Sequence, residues 1–299
     1  MTQIPAVASA HELHESLLAF HDAASRGVLP LQLPAAASAP TGRGQGHFHL
    51  APELFLQVAG WTDFRFPDGG CRLRAGEALL VPPQLRHDET VGDDGRARTQ
   101  RFCNLVLFSE GTQLRCHVAL EREPGRPGIA HLEARQHVQA RPVHDWLCDA
   151  ARLGPGSERG QAQARALVAA AVAGVLRALE EGDDAGVPAE PPLIARLRVL
   201  VQNQLGDPAL SVQRLAQQSG CSADHLAQLF REVSGEHLLA RINRLRIERA
   251  QRLLAETRLA VKEIAWACGY ASPGYFIRVF RQHCGITPQA WREEAISLR

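Results

Sequence analysis

Two stretches, LAQQSGCSADHLAQLFREVSG (Leu215–Gly235) and IAWACGYASPGYFIRVFRQHCG (Ile264–Gly285), are one unit written twice. With one inserted residue near the turn, Ala216 aligns with Ala265, Gly220 with Gly269 and Ser222 with Ser272. Further on, Leu226 meets Phe276, Phe230 meets Phe280, Arg231 meets Arg281 and Gly235 meets Gly285. Each copy has the parts of a helix-turn-helix. A short helix carries a small Ala that lets the next helix cross closely. A Gly able to take a positive φ follows at the turn, and then a Ser whose hydroxyl can cap the second helix. In the second copy Pro273 follows the cap, at the first helical position, where a missing N–H costs nothing. Ser-Pro-Gly therefore sets where that helix begins and where its first turn points. Helical spacing turns Phe276, Val279, Phe280 and His283/Cys284 inward and leaves Pro273, Gly274, Ile277, Arg278 and Arg281 outward.

Between the copies, HLLARINRLRIERAQRLLAET (His237–Thr257) reads as one amphipathic helix by its Leu/Ile spacing, with Arg241, Arg244, Arg246, Arg249 and Arg252 distributed around it. Such a connector would fix the two second helices relative to each other. Spaced about one DNA turn (~34 Å), both could enter successive major grooves on one face of a duplex. Charge agrees with a polyanionic partner. Leu193–Arg299 holds 15 Lys+Arg against 9 Asp+Glu, whereas the rest of the chain is net negative, so the overall +1 conceals an asymmetry.

From Ser211 to Glu293 the chain resembles the AraC/XylS-type DNA-binding domain, carried by RINRLRIERAQRLL and then IAWACGYASPGYFIRVFRQHCGITPQAWR. The resemblance implies a transcription regulator with two helix-turn-helix units joined by a long helix. It also implies that Ala223, Asp224, Ala227 and Gln228 of the first unit, and Pro273, Gly274, Ile277 and Arg278 of the second, face the groove, with Arg281 beside them. Arg278 is the foremost base reader, since a bidentate Arg–guanine contact is worth roughly 1–3 kcal/mol of discrimination; the alternative is a phosphate contact. The short or acidic residues of the first helix suggest that it reads less sequence than the second.

Upstream, residues 47–120 fall into short runs with period-two alternation, broken by Gly, Pro and Asp. The expected strands are Leu54–Ala59, Thr62–Phe66, Cys71–Arg74, Ala78–Val81, Arg101–Phe108 and Leu114–Leu120, in a sandwich or small barrel. Within them, HFHLAPELFLQVAG (His47–Gly60) and GEALLVPPQLRH (Gly76–His87) resemble the two cupin motifs, with Gln84 and Val91 departing from the pattern. By that resemblance His47, His49, Glu53 and His87 would form a three-His, one-Glu site inside a barrel. Such donors suit a divalent metal such as Zn, Fe, Mn, Ni or Cu. Three readings stay open here: a metal site, a pocket for a small polar or aromatic effector lined by the same residues, or a barrel that only supports dimerisation. Cys71, Cys103 and Cys116 admit a redox reading, but buried structural thiols are the commoner case.

Two helical patterns follow, Val143–Leu153 and Glu158–Glu180. In the second, Val168, Val172, Val175 and Leu179 share a stripe that is either a homodimer seam or packing back onto the barrel. Glu181–Pro192 (EGDDAGVPAEPP) reads as a linker. The expected chain is therefore a multi-domain α+β protein. An N-terminal arm and helix cover 1–46, a cupin-like barrel followed by helices 47–181, the linker 182–192, and an all-α domain with two helix-turn-helix motifs 193–299. MTQIPAVASA lacks the charged and apolar regions of a signal peptide, and the apolar run Ala166–Leu176 is too short to span a bilayer. Seven scattered cysteines without CxxC suit a reducing cytoplasm. The expected function is a cytoplasmic, non-enzymatic transcription regulator. It would bind double-stranded promoter DNA, respond to a small effector or metal, work as a homodimer away from membranes, and meet RNA polymerase if it activates. The rival is a metal-dependent cupin enzyme fused to a DNA-binding tail.

Overall fold

The computed structural model describes residues 10–35, 46–93, 102–183 and 190–297. The chain divides into two compact units, one of residues 1–37 and 49–189, the other of residues 38–48 and 190–299.

The first unit opens with α1 (Ala10–Ser25) and a two-residue strand β1 (Leu31–Gln32). There follow β2 (Glu53–Ala59), β3 (Trp61–Phe66), β4 (Gly69–Arg74), β5 (Ala78–Val81), β6 (Asp88–Gly92), β7 (Cys103–Glu110), β8 (Gln113–Glu123) and β9 (Arg126–Gln136). Helices α2 (Ala140–Leu153) and α3 (Glu158–Glu181) close it. The strands form a six-stranded sheet, β1-β5-β2-β7-β8-β9, and a three-stranded sheet, β4-β3-β6. Alternation along the strands builds two cores. Leu54 and Leu56 of β2, Leu105 and Leu107 of β7, and Cys116 and Val118 of β8 pack with α1, α2 and α3. Phe55, Leu79 and Val106 point the other way and pack with Phe64 and Leu73 of the smaller sheet. Residues buried on both faces explain why β2 and β5 read as nearly continuous apolar runs.

Three strands escape the alternation pattern. β1 is too short, β6 (DETVG) is polar, and β9 (RPGIAHLEARQ) has Pro and Gly near its start and is half-buried along almost its whole length. The N-terminal helix is no separate arm, since Leu13, Leu17, Phe20 and Ala24 belong to the first core. The α3 stripe follows the second of its two readings, packing back on its own unit: Val168 and Val172 are fully buried and Val175 nearly so, and Leu179 packs on the same core. By length and composition α3 could cross a membrane, but half of its apolar stretch is buried, as in the core helix of a soluble domain. The linker expectation lies partly outside the described residues, since 184–189 are not among them.

The second unit is helical: α4 (Pro192–Gln204), α5 (Val212–Ser219), α6 (Ala223–Ser234), α7 (Leu238–Glu256), α8 (Val261–Ala267), α9 (Pro273–Cys284) and α10 (Pro288–Ser297). Leu238, Ile242 and Leu245 of α7 join the core around α4, α5 and α6. Later in α7, Ala250, Leu253 and Leu254 are buried, and the helix packs on α8, α9 and α10. With 19 residues α7 is about 28 Å long, near one turn of a DNA duplex.

Candidate nucleic-acid interface and metal centre

The local chemistry of the repeat sets both second helices. Ser222 Oγ accepts from His225 N at 3.2 Å and Ser272 Oγ accepts from Tyr275 N at 3.3 Å, so each helix starts at its Ser. Gly220 and Gly269 turn the chain with φ of 71° and 78°. Leu226 and Phe230 of α6, and Phe276, Val279 and Phe280 of α9, are buried, which fixes the rotation of each helix. On the open side of α6 lie exposed Asp224 and Gln228, with Ala223 and Ala227 half-buried. On α9 Gly274, Ile277, Arg278 and Arg281 are exposed and Pro273 is half-buried. One inward assignment fails: His283 is exposed, although its Nδ1 lies 2.9 Å from Val279 O.

The two faces are not equivalent. Gln228 Nε2 donates to Glu232 Oε1 at 2.9 Å, which ties it back to its own helix. The Arg278 guanidinium instead lies 5.1 Å from the centroid of the Tyr275 ring, and that ring is 46% exposed. Sequence reasoning missed Tyr275. Its signal was the spacing of three residues from Arg278, which makes them neighbours on a helix.

The basic surface is smaller than the count of charges suggests. Arg246 Nε donates to Leu205 O at 3.1 Å and its Nη2 to Asp207 O at 2.9 Å. Arg249 is 1% exposed, and within the second unit its Nη2 donates to Phe48 O at 2.8 Å. Both hold backbone carbonyls inside the unit and present no charge to a polyanion. Arg244 pairs with Glu236 and Glu248. Exposed Arg231, Arg278 and Arg281 remain on the second helices.

The other predicted site is compact. Within the first unit His49, Glu53 and His87 bring one donor atom each to within 4.8 Å of one another. His49 Nε2 is 3.4 Å and His87 Nε2 3.6 Å from Glu53 Oε2. Donors on one tetrahedral ion with bonds of 2.0–2.1 Å are about 3.4 Å apart; the two distances to Glu53 match this, while the spread of up to 4.8 Å across the cluster is wider. The His87 ring is prepared for this role. Its Nδ1–H, directed at Leu85 O at 3.1 Å, leaves the Nε2 lone pair on the Glu53 side, and burial pushes its pKa down to about 4, so the ring is neutral near pH 7. Burial, with Glu89 adding to it, holds the Glu53 carboxyl well above the usual carboxylate range. Gln84, where the cupin pattern expects Gly, adopts a positive φ of 67°, the conformation that favours glycine.

Several polar residues in this interior carried no motif and so were missed. Glu89 Oε1 lies 3.8 Å from His87 Nε2, and burial raises its pKa to about 7. Asn104 of β7 and His117 of β8 alternate onto the same sheet face as Phe55 and Val106. Asn104 is fully buried with both amide atoms unpartnered, as is His117 Nδ1 in a ring that burial holds near a pKa of about 4. Unlike them, neighbouring Gln57 is satisfied by Ala59 O, Cys103 O and the Thr62 hydroxyl. Unpaired buried amides are rare and cost about 1–3 kcal/mol each, which sets this face apart from the rest of the interior. The cysteines agree with the structural reading. Cys103 and Cys116 are buried among apolar side chains, and burial raises both thiols, Cys103 to about 12; Cys71 is raised to about 11.

Comparison with known proteins bears on the second unit. A family profile described as a helix-turn-helix domain matches residues 215–294. The transcriptional activator RhaR of Enterobacter sp. (strain 638) is 37% identical over 84 residues, which is 28% of this chain and 30% of that protein. The chain thus spans under half the length of the curated relatives it matches. A transcriptional regulator of Chromobacterium violaceum with an AraC-type DNA-binding domain is 30% identical, covering 35% of this chain and 92% of that one with a TM-score of 0.33. The DNA-binding domain of AdpA, solved in complex with a target DNA, is 29% identical, covering 37% and 97% with a TM-score of 0.35. Residues 215–294 thus match a helix-turn-helix domain, and over this stretch the chain is similar to the RhaR activators.

Proposed function

We propose that the chain is a sequence-specific transcription regulator whose second unit binds promoter DNA and whose first unit senses a small ligand. The observation that carries this is the doubled helix-turn-helix, with each second helix capped at its Ser and open on one side, inside the segment that the family profile matches. Ala223, Asp224, Ala227 and Gln228 of α6 face one groove. Pro273, Gly274, Ile277, Arg278 and Arg281 of α9 face the next. Because one chain carries both helices, this reading needs no second copy. Activation, with RNA polymerase as a partner, follows the role printed for the RhaR relatives.

The ligand of the first unit is a divalent transition metal held by His49, Glu53 and His87. The donor spacing and the orientation of His87 support it. A metal there would supply Lewis acidity or an anchor for a small polar effector facing Asn104 and His117. The enzymatic rival has no support among the relatives, which are regulators.

The test starts from the full chain after chelation. A cognate duplex is selected from a random pool, and its Kd is measured with and without Zn, Fe, Mn, Ni or Cu. A metal-dependent change in Kd that His87→Ala abolishes is the expected result. Selective DNA binding that no metal alters would retain the regulator and remove the metal as its input.

A further inference from the structure

We propose that Tyr275 is a specificity-determining positioning residue. It holds the Arg278 guanidinium in one place so that a single base pair is read. The inference rests on the DNA-binding reading of α9 and adds the element that makes its arginine selective.

The argument begins with what an exposed arginine lacks. Its long side chain samples many rotamers, and a bidentate contact to guanine requires one of them. Ordering that chain on binding costs conformational entropy, which a pre-set guanidinium avoids. Tyr275 precedes Arg278 by three residues, on the same helix face, and its ring faces the guanidinium at 5.1 Å.

The ring is itself anchored from below. Tyr275 and Tyr270 have centroids 6.0 Å apart. Tyr270 is 2% exposed and lies 5.3 Å from the Phe276 ring. The Arg246 guanidinium sits 5.4 Å from the Tyr270 centroid, and Arg246 is fastened to the carbonyls of Leu205 and Asp207. Gly269 leaves room for this stack: a Cβ there would lie 2.5 Å from Leu205 O and 2.7 Å from Arg246 Nη2. A ladder of cation, two rings and cation therefore runs from the core connector α7 to the exposed guanidinium.

The first copy of the motif lacks the ladder. His225 stands where the second copy has Tyr275, Gln228 where it has Arg278, and Gln228 is bound to Glu232. The duplication thus provides an internal contrast, and it assigns the sharper reading to the second helix.

The experiment uses the full chain and a duplex selected by the wild type, with every base pair in turn replaced. Wild type, Tyr275→Phe, Tyr275→Ala, Arg278→Ala and the double variant Tyr275→Ala/Arg278→Ala are compared by Kd. Arg278→Ala should lose preference at one base pair. Tyr275→Ala should lose preference at that same base pair by about two- to fivefold, the range of a surface cation–π contact. Tyr275→Phe should stay near wild type, and the double variant should be no less selective than Arg278→Ala. Loss of affinity from Tyr275→Ala that is equal across all sequences would overturn the proposal, as would loss at a different base pair or losses that add in the double variant. A wild-type chain that selects no sequence would overturn the DNA-binding reading, and the proposal with it. Thermal melts of each variant separate loss of folding from loss of reading, and Tyr275→Phe keeps the comparison in hand if Tyr275→Ala unfolds.

Discussion

Gly220 and Gly269 occupy the same place in the two copies of one motif, yet replacing each with Ala should have unequal costs. Both have positive φ, 71° and 78°, so each substitution carries the strain of a left-handed conformation, about 1 kcal/mol. At Gly220 that is nearly the whole cost, because a Cβ there would meet nothing within 4 Å. At Gly269 the Cβ would lie 2.5 Å from a backbone oxygen, Leu205 O, and 2.7 Å from Arg246 Nη2. Something must move, and the movable group is the Arg246 side chain. Displacing it weakens two charge-assisted hydrogen bonds to Leu205 O and Asp207 O, each worth roughly 1.5–3 kcal/mol. The total for Gly269→Ala is therefore about 3 kcal/mol or more, against about 1 kcal/mol for Gly220→Ala. Urea denaturation of the full chain, followed by the fluorescence of Trp266 and Trp291 in the second unit over that of Trp61 and Trp146, measures both. Equal losses for the two variants would refute the reasoning, since they would show that the strain is common and the crowding at Gly269 is relieved without cost.

Other consequences are open to direct measurement. Elemental analysis of the untagged chain should find about one divalent ion per molecule, lost in His49→Ala and in His87→Ala, and chelation should lower the melting temperature of the first unit by linkage. Metal-free wild type with unchanged melting would remove the metal from His49, Glu53 and His87. The pH dependence of the chelated protein follows from His117, which burial holds near a pKa of about 4 against a usual value of 6.5. The unfolded chain binds that proton first, so the contribution is complete above about pH 6.5 and lost as the pH falls toward 4. His87, also held near about 4 by burial, adds the same dependence, so His117→Gln should lessen the loss over that window without abolishing it, and an unchanged profile would exclude His117 as a source. Selected-duplex binding by the wild type should weaken steeply with added salt, because neutralised phosphates release counterions. A flat response would show that Arg231, Arg278 and Arg281 meet no phosphates.

What the sequence discloses depends on how local the physics is. Caps and turns are local: Ser222, Ser272, Gly220 and Gly269 each act within a few residues, so both helix starts were legible. Strands β2, β3, β4, β5, β7 and β8 were legible as short apolar or alternating runs broken by Gly, Pro and Asp, whereas β9 depends on pairing along β8, which its own residues do not advertise. The α3 stripe shows the limit of periodicity. It identifies which face is apolar without saying what covers it, and the cover is the first unit's own core. Charge counting fails for a related reason. Arg246 and Arg249 count toward a basic segment, yet tertiary structure buries them on backbone carbonyls. The donor cluster was legible because HFH and Glu53 are close in sequence and belong to a known pattern. Glu89, Asn104 and His117 lie on strands with no motif, and only the fold brings them to that interior.

The most direct test of the doubled reading is methylation interference on the selected duplex, read with the intact chain. Because α7 is about one DNA turn long, interference should fall in two major-groove segments centred about 10 base pairs apart on one face. Gln228→Ala should weaken one segment and Arg278→Ala the other, with the larger loss at the second. Interference confined to a single groove segment, or insensitive to both substitutions, would contradict the assignment of α6 and α9 as paired readers.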